Sequence, residues 1–355
     1  MSFGTFGSRM ALAIIGVMAL VIAVGTFQRP PVDILQRGYR GTGMAQLYNP
    51  AHLAALQTSN QLPSSTPQPA ASGQTAGQSF QNVQALKDVD STEFMRLMTD
   101  ITTWVAPDQG CSYCHAEGEP LSSDKLYTKV VARRMLQMTM HINGDWHSHV
   151  ADVGVTCYTC HRGHPVPSNI WFKNPGPPTS ANNDGDRTDQ NWPIAANGRT
   201  SLPFDPFTPF LDQANDVRVV STTALPESNR HSIKQTEWTY SLMVSMSEAL
   251  GVNCTYCHSS RSFTDWQQST PARATAYYGI RMVRDLNNGF LDPLASQFPH
   301  ERLGPLGDGP KINCSTCHQG VYKPLFGASL LKDYPELAGA ALAPTAGQPA
   351  PNVTR

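Results

Sequence analysis

Four copies of one five-residue pattern decide what this chain can fold around. Cys111-Ser-Tyr-Cys114-His115, Cys157-Tyr-Thr-Cys160-His161, Cys254-Thr-Tyr-Cys257-His258 and Cys314-Ser-Thr-Cys317-His318 together use all eight cysteines of the 355 residues. Two thiols three positions apart can add to the two vinyl groups of one porphyrin. The His that follows then lies under the ring and supplies nitrogen to the iron. Paired Cys-x-x-Cys also suits a tetrathiolate zinc site, but zinc has no need of a His after every second Cys. A disulfide framework would show irregular spacings, and a thioredoxin-like redox pair would occur once. The pattern predicts four covalently bound haem c groups. Their thioether donors are Cys111 and Cys114, Cys157 and Cys160, Cys254 and Cys257, and Cys314 and Cys317, with His115, His161, His258 and His318 as proximal iron ligands.

Haem attached in this way belongs outside the cytoplasm, and the N-terminus agrees. Met10 to Phe27 is an 18-residue run without a charge, flanked by Arg9 and Arg29, near the lower limit for a helix that crosses a bilayer. No small-x-small cleavage site is obvious after Val24-Gly25-Thr26, so the segment reads as a retained anchor rather than a cleaved signal. Arg29, Arg37 and Arg40 follow it while only Arg9 precedes it. The positive-inside rule therefore opposes this orientation, and the haem chemistry overrides it. The expected location is the periplasmic side of a bacterial inner membrane. With 26 basic against 27 acidic side chains, nothing in the charge balance suggests a nucleic-acid partner.

The motifs sit in a recurring unit. Helical patterns over Ser91–Val105, Ser123–His141, Gln235–Leu250 and Pro271–Leu286 precede them, and two junctions share wording, Gly154-Val155-Thr156-Cys157 and Gly251-Val252-Asn253-Cys254. A Gly there closes a helix and turns the chain back. Low-spin iron needs a second axial ligand, and several of the twelve Met residues lie on these helices: Met95 or Met98, Met135, Met138 or Met140, Met243 or Met246, and Met282. Residues three apart share a helix face, so periodicity does not choose among them. His141, His147, His149, His164, His231 and His300 are further candidates.

The chain resembles the tetrahaem cytochrome subunit of photosynthetic reaction centres. The likeness rests on the four motifs and on the runs Gln36-Arg37-Gly38-Tyr39-Arg40-Gly41, Tyr127 to Met135, and Val153 to Gly163. It implies that Met98 closes the iron of His115, Met135 that of His161, and Met243 that of His258, while His149 closes that of His318 in place of the local rival Met282. It also implies an electron-transfer subunit rather than an enzyme. Electrons would come from a soluble periplasmic donor, a c-type cytochrome or a high-potential iron–sulfur protein. They would pass to the photo-oxidised bacteriochlorophyll pair in the membrane subunits, on which the anchor and the Gln36–Gly41 segment would hold the chain.

The expected architecture is mainly α with extensive irregular loops: a multihaem cytochrome c built from four helix–turn–CxxCH units in two pairs, plus one N-terminal transmembrane helix. Its boundaries are 1–28 for the anchor, 29–90 for an extended segment and linker, 91–164 for the first dihaem half, 165–230 for a Pro-rich connection, 231–322 for the second half, and 323–355 for a partly disordered tail. Within the connection nine prolines fall between Pro165 and Pro209, and Trp171, Phe172, Phe204, Phe207 and Phe210 argue for packing rather than freedom. Ser59–Gln78 reads as flexible linker or extended surface chain. Arg133, Arg134, Arg281 and Arg284 are candidates for propionate partners or for a solvated face. The main alternative function is a membrane-anchored tetrahaem quinol-oxidising cytochrome feeding periplasmic reductases. A multihaem enzyme would need an iron with one open axial position, and the supply of candidate ligands leaves no reason for one.

Overall fold

A computed structural model describes residues 3–27, 33–37, 44–175, 191–219 and 233–339. The first element, α1 (Phe3–Thr26), is apolar on every side and buried on none from Phe6 onward. Its 24 residues reach about 36 Å at 1.5 Å per residue, enough for a hydrocarbon core of about 30 Å. Beyond it lies a hairpin not foreseen from sequence, β1 (Asp33–Arg37) antiparallel to β2 (Met44–Tyr48), in the register Asp33↔Tyr48 to Arg37↔Met44. Residues 38–41 of the Gln36–Gly41 run lie outside the described residues. The hairpin is fastened to the body of the protein. Met44 N–H donates to Thr255 Oγ1, Asn253 Nδ2 to the Met44 carbonyl, and Gln46 Nε2 and Tyr48 OH to the Gly251 carbonyl.

Short polar signals start the helices that follow. For α2 (Pro50–Ser59), Asn49 caps the Ala51 N–H and Pro50 occupies the first turn, where no donor is needed. After the one-turn α3 (Ala76–Ser79) comes α4 (Ser91–Val105), over the residues expected. Its cap, Asp90, accepts from the N–H groups of Thr92, Ser72 and Gly73. These bonds, the Thr92 hydroxyl first, hold its carboxyl well below the usual range. They also pin the 60–73 stretch, where Thr66 donates to Asp100; of the Ser59–Gln78 segment, Ser59 belongs to α2 and Ala76–Gln78 to α3. The second long helix, α5 (Tyr127–Asp145), starts and ends four residues later than expected. Ser123 closes a turn onto Pro120, and Lys129 Nζ holds the carbonyls of Leu121 and Ser123, which keeps that stretch out of the helix. One turn each of α6 (His147–Val150) and α7 (Cys157–His161) follows. The second half repeats the plan with α8 (Ile233–Leu250), α9 (Pro271–Leu286, as expected) and α10 (Cys314–His318). The first two residues expected in that half, His231 and Ser232, lie outside the described residues. Helix and motif are separated by short turns in units one and three. In units two and four the connection is longer, from Asp145 to Cys157 and from Leu286 to Cys314.

The two halves match in their bonding. Gly163 N–H donates to the Trp104 carbonyl at the end of α4, and Gly320 N–H to the Ala249 carbonyl at the end of α8. α4 packs on α7, α8 on α10, and α7 meets α10 between them. The apolar core forms two clusters. One joins Leu97 and Trp104 to the C-terminal Tyr334 and Leu337; the other joins α8 and α9 to Trp171, Phe207, Phe210 and Leu211 of the connecting segment and to Ile142 and Trp146 of the first half. Of the five aromatic residues named in that segment, Trp171, Phe207 and Phe210 are buried in this cluster, and Phe172 and Phe204 are half-buried outside it. Residues 323–339 of the expected tail pack too, while 340–355 lie outside the described residues.

The first cluster carries a buried charge group. Arg96, 3% exposed at its side chain, meets Glu93, lies 3.8 Å from Asp100 and 3.9 Å from Glu336, and stacks 4.2 Å over the Tyr334 ring. One cation faces three carboxylates, and Glu336 Oε1 has no hydrogen-bond partner. Burial first, then Glu93 and Asp100, push the Glu336 carboxyl above its ordinary value. The sign follows: the unfolded chain gives up this proton at lower pH than the folded one, so stability falls as pH rises through that interval. Glu336→Gln should therefore be near neutral in stability at pH 4 and stabilising at pH 8, as read by denaturant titration at the two pH values.

Candidate haem-binding sites

Each motif is a single tight turn. In all four the His N–H, or the backbone directly after it, closes onto the motif: His115 N–H donates to the Cys111 carbonyl at 2.9 Å and His258 N–H to the Cys254 carbonyl at 3.0 Å. Motifs two and four are α-helical turns, α7 and α10. Thr159 and Thr316, just before the second Cys, accept at 3.0 Å from the N–H of the residue before the motif. Residues four apart on such a turn share a face, which sets the imidazole beside the first thiol. Gly251 follows α8 directly at φ +61°, as the helix-closing role requires, whereas Gly154, at φ +59° and ψ −168°, follows the short turn Ala151–Val153 and α5 is closed earlier, at Trp146. At Gly251 a Cβ would run into the Gly320 backbone carbonyl.

The proximal imidazoles are oriented alike. Nδ1 of His115 lies 3.0 Å from the Leu121 carbonyl, that of His161 2.8 Å from His164, that of His258 2.8 Å from Phe263, and that of His318 3.0 Å from Val321. A carbonyl can only accept, so each Nδ1 carries the proton and Nε2 is left with its lone pair for a metal. Burial pushes all four imidazoles toward the neutral, ligating form, with His318 lowered to about 4 by burial and then by the neighbouring His149.

Among the other described histidines, His149 alone shows the same arrangement. Its Nδ1 lies 2.9 Å from the Thr275 carbonyl, and its ring centroid is 6.2 Å from that of His318. Two imidazoles bound through Nε2 at about 2 Å on opposite sides of one ion place their centroids roughly 6 Å apart. His141, by contrast, meets Asp145 through Nδ1 and Asp285 through Nε2. His147 meets Asp152 through Nε2. His164 and His300 are exposed, and His231 lies outside the described residues.

Motifs one, two and four, with Met98, Met135 and His149, line one continuous cavity of about 1120 Å³. That exceeds the roughly 300–1,000 Å³ typical of a pocket for one small ligand. Met95 is largely exposed while Met98 packs against the first core cluster. Met138 and Met282 also line the cavity, whereas Met140 does not. His258, Cys254, Cys257 and Met243 lie outside that lining, while Met246, one turn on, belongs to it. Burial raises the thiols of Cys114, Cys157, Cys257 and Cys314 to about 11.

Cys160 of motif two and Cys317 of motif four meet sulfur to sulfur, with Cα atoms 4.5 Å apart. No spacing in the sequence reveals this approach, which follows from α7 and α10 packing against each other. Arg162 reaches the Cys317 carbonyl at 3.5 Å and Gln319 the Cys160 carbonyl at 3.4 Å. The four arginines also have protein partners: Arg133 with Asp124, Arg134 with the Gly289 carbonyl, Arg284 with the Phe210 carbonyl, and Arg281 against Tyr277.

Comparison with known proteins gives a consistent picture. Residues 28–338 match the family described as the photosynthetic reaction centre cytochrome C subunit. The chain is 52% identical to the photosynthetic reaction center cytochrome c subunit of Rubrivivax gelatinosus over 95% of its own length and 92% of that protein. It is 48% identical to the subunit of Thermochromatium tepidum (93% and 80% covered) and 41% identical to that of Roseobacter denitrificans (94% and 93%).

Because His141 and His147 spend Nε2 on carboxylates, His141→Asn and His147→Asn should leave the visible haem bands at wild-type position and amplitude. A lost or shifted band in either variant would return that residue to the list of ligands.

Proposed function

Since the chain belongs to the family of photosynthetic reaction centre cytochrome c subunits, we propose that it binds four haem c groups and re-reduces the photo-oxidised bacteriochlorophyll pair with electrons from a soluble periplasmic donor. Membership makes it an electron-transfer protein of photosynthesis, with covalently bound haem c and reaction-centre proteins as partners. The number of haems, the ligands, the donor and the periplasmic side are the proposal. The observation that carries it is the shared Nδ1–carbonyl geometry of His115, His161, His258, His318 and His149.

In this reading the chain's own atoms do three things. The cysteine pairs would fix each porphyrin, and Nε2 of each proximal His would hold its iron. Sulfur of Met98, Met135 and Met243 would be the second ligand of three irons and favour their ferrous state, whereas the imidazole of His149 would lower the fourth potential relative to these. The largely apolar cavity would keep water from the ligands of sites one, two and four. Bound haem iron supplies the chemistry, one-electron exchange between ferric and ferrous states.

Packing also supports an order. The contacts of α4 with α7, α7 with α10 and α10 with α8 favour the order one, two, four, three. The hairpin begins seven residues after Thr26, within roughly 25 Å of chain from the end of α1, and bonds to residues 251–255. Site three is then the one nearest the membrane, where electrons would leave, and site one the far end, where a donor would dock.

Two measurements test this. Intact-mass analysis of the denatured, unreduced chain should exceed the polypeptide by four haems. Cys160 and Cys317 can each form a thioether or their mutual disulfide, not both, so that mass also reports which bond the mature protein holds. A mass equal to the amino acids alone would end the proposal. Flash excitation of native membranes should oxidise these haems within the lifetime of the oxidised pigment pair; haems that stay reduced would rule out the assigned acceptor.

A further inference from the structure

The fourth site draws its second ligand from the other half of the chain, although its own half offers Met282. That residue is buried on α9 and lines the same cavity. What lets an imidazole in from α6 is the shape of α9. His149 Nδ1 bonds to the carbonyl of Thr275, the carbonyl that a regular helix offers to the N–H of residue 279. To reach a carbonyl already inside a helix, the ring must lie against the helix backbone, and residue 279 is where it lies.

That residue is Gly279, buried in the third turn of α9, with ordinary helical backbone. No left-handed conformation requires a glycine there, and in a helix interior glycine is less stable than alanine. A Cβ at 279 would stand 2.6 Å from His149 Cε1, 2.9 Å from Nδ1 and 3.3 Å from Nε2. Carbon atoms rest about 3.5–4.0 Å apart, so the ring would have to withdraw by about 1 Å. A metal–nitrogen bond tolerates about 0.2 Å. The withdrawal is decisive.

We infer that Gly279 is a positioning residue that selects the ligand of the fourth iron, admitting His149 and thereby keeping Met282 in the packing. The inference rests on the assignment of His149 to the iron of His318. Gly279 and Met282 lie three residues apart, on one face of α9. When the imidazole is pushed back, either the thioether takes its place or the position opens.

The test uses the full-length protein in its native membrane complex. In Gly279→Ala, the two-histidine signature of one haem in the low-temperature EPR spectrum should be lost. The same haem should titrate at a higher potential if Met282 binds, or bind carbon monoxide when reduced if nothing does; either supports the inference. The other three haems should keep their wild-type spectra, which reports that the variant has folded, and the melting temperature should not drop. Gly279→Ser places a Cβ at the same point and provides a second reading should the alanine variant not assemble. Gly289→Ala, where a Cβ meets nothing nearer than 3.8 Å, should match the wild type. His149→Met separates the two levels of the claim. A normal fourth haem in that variant overturns the ligand assignment itself. A changed fourth haem there, with a wild-type spectrum in Gly279→Ala, overturns only the role of Gly279.

Discussion

A carbonyl facing an imidazole nitrogen is the interaction on which the remaining structure depends. It occurs at five histidines, and in every case the carbonyl belongs to a segment that must be held still: the turn after motif one, the residues just past motifs two and four, the loop at Phe263, and α9. Each bond sets a tautomer and a ring direction before any metal arrives. Much of the irregular chain between helices then has a physical purpose. It delivers acceptors to fixed points, which a helix seldom can, because its own N–H groups already use its carbonyls. His149 is the exception, and it needs a glycine to be one.

The same requirement explains how the core is divided. Two apolar clusters of ordinary size flank a cavity lined by residues of three motifs, so the polypeptide does not close on itself. The halves meet through apolar packing, with Ile142 and Trp146 set in the cluster of α8 and α9, and through specific polar bonds, with Arg162 and Gln319 reaching across to each other's motif. Asn313 Nδ2 holds the connecting segment at the Asn169 carbonyl, and within the second half Lys311, with no side-chain exposure, sits between Asp292 and Asp308. Buried polar groups of this kind add little net stability, yet they penalise any other arrangement strongly.

Much of this was legible in the residues, for identifiable reasons. Ser91–Val105 and Pro271–Leu286 begin at strong local signals, Asp90 as a cap and Pro271 in the first turn, and local signals survive folding. The cysteine motifs are local too. The start of α5 was misplaced because Lys129 reaches back to carbonyls before the helix, a tertiary choice that outweighed propensity. The β1–β2 hairpin carries weak alternation and was missed; its strands are held as much by Gly251 and Thr255 as by each other. Neither the approach of Cys160 to Cys317, 157 residues apart, nor the space above Gly279 has any signal in a single sequence. The choice of His149 over His141 and His147 came from resemblance, and only the partners of their ring nitrogens give it a physical basis.

The hairpin has a consequence for timing. Electron hops weaken steeply with distance, so a redox body that swung on a loose tether would meet its acceptor only intermittently. Four hydrogen bonds between the Met44–Tyr48 strand and residues 251–255 turn the tether into a bracket. The hairpin and the third CxxCH motif are thereby parts of one piece, so that motif cannot move without carrying with it the strand pair that follows α1.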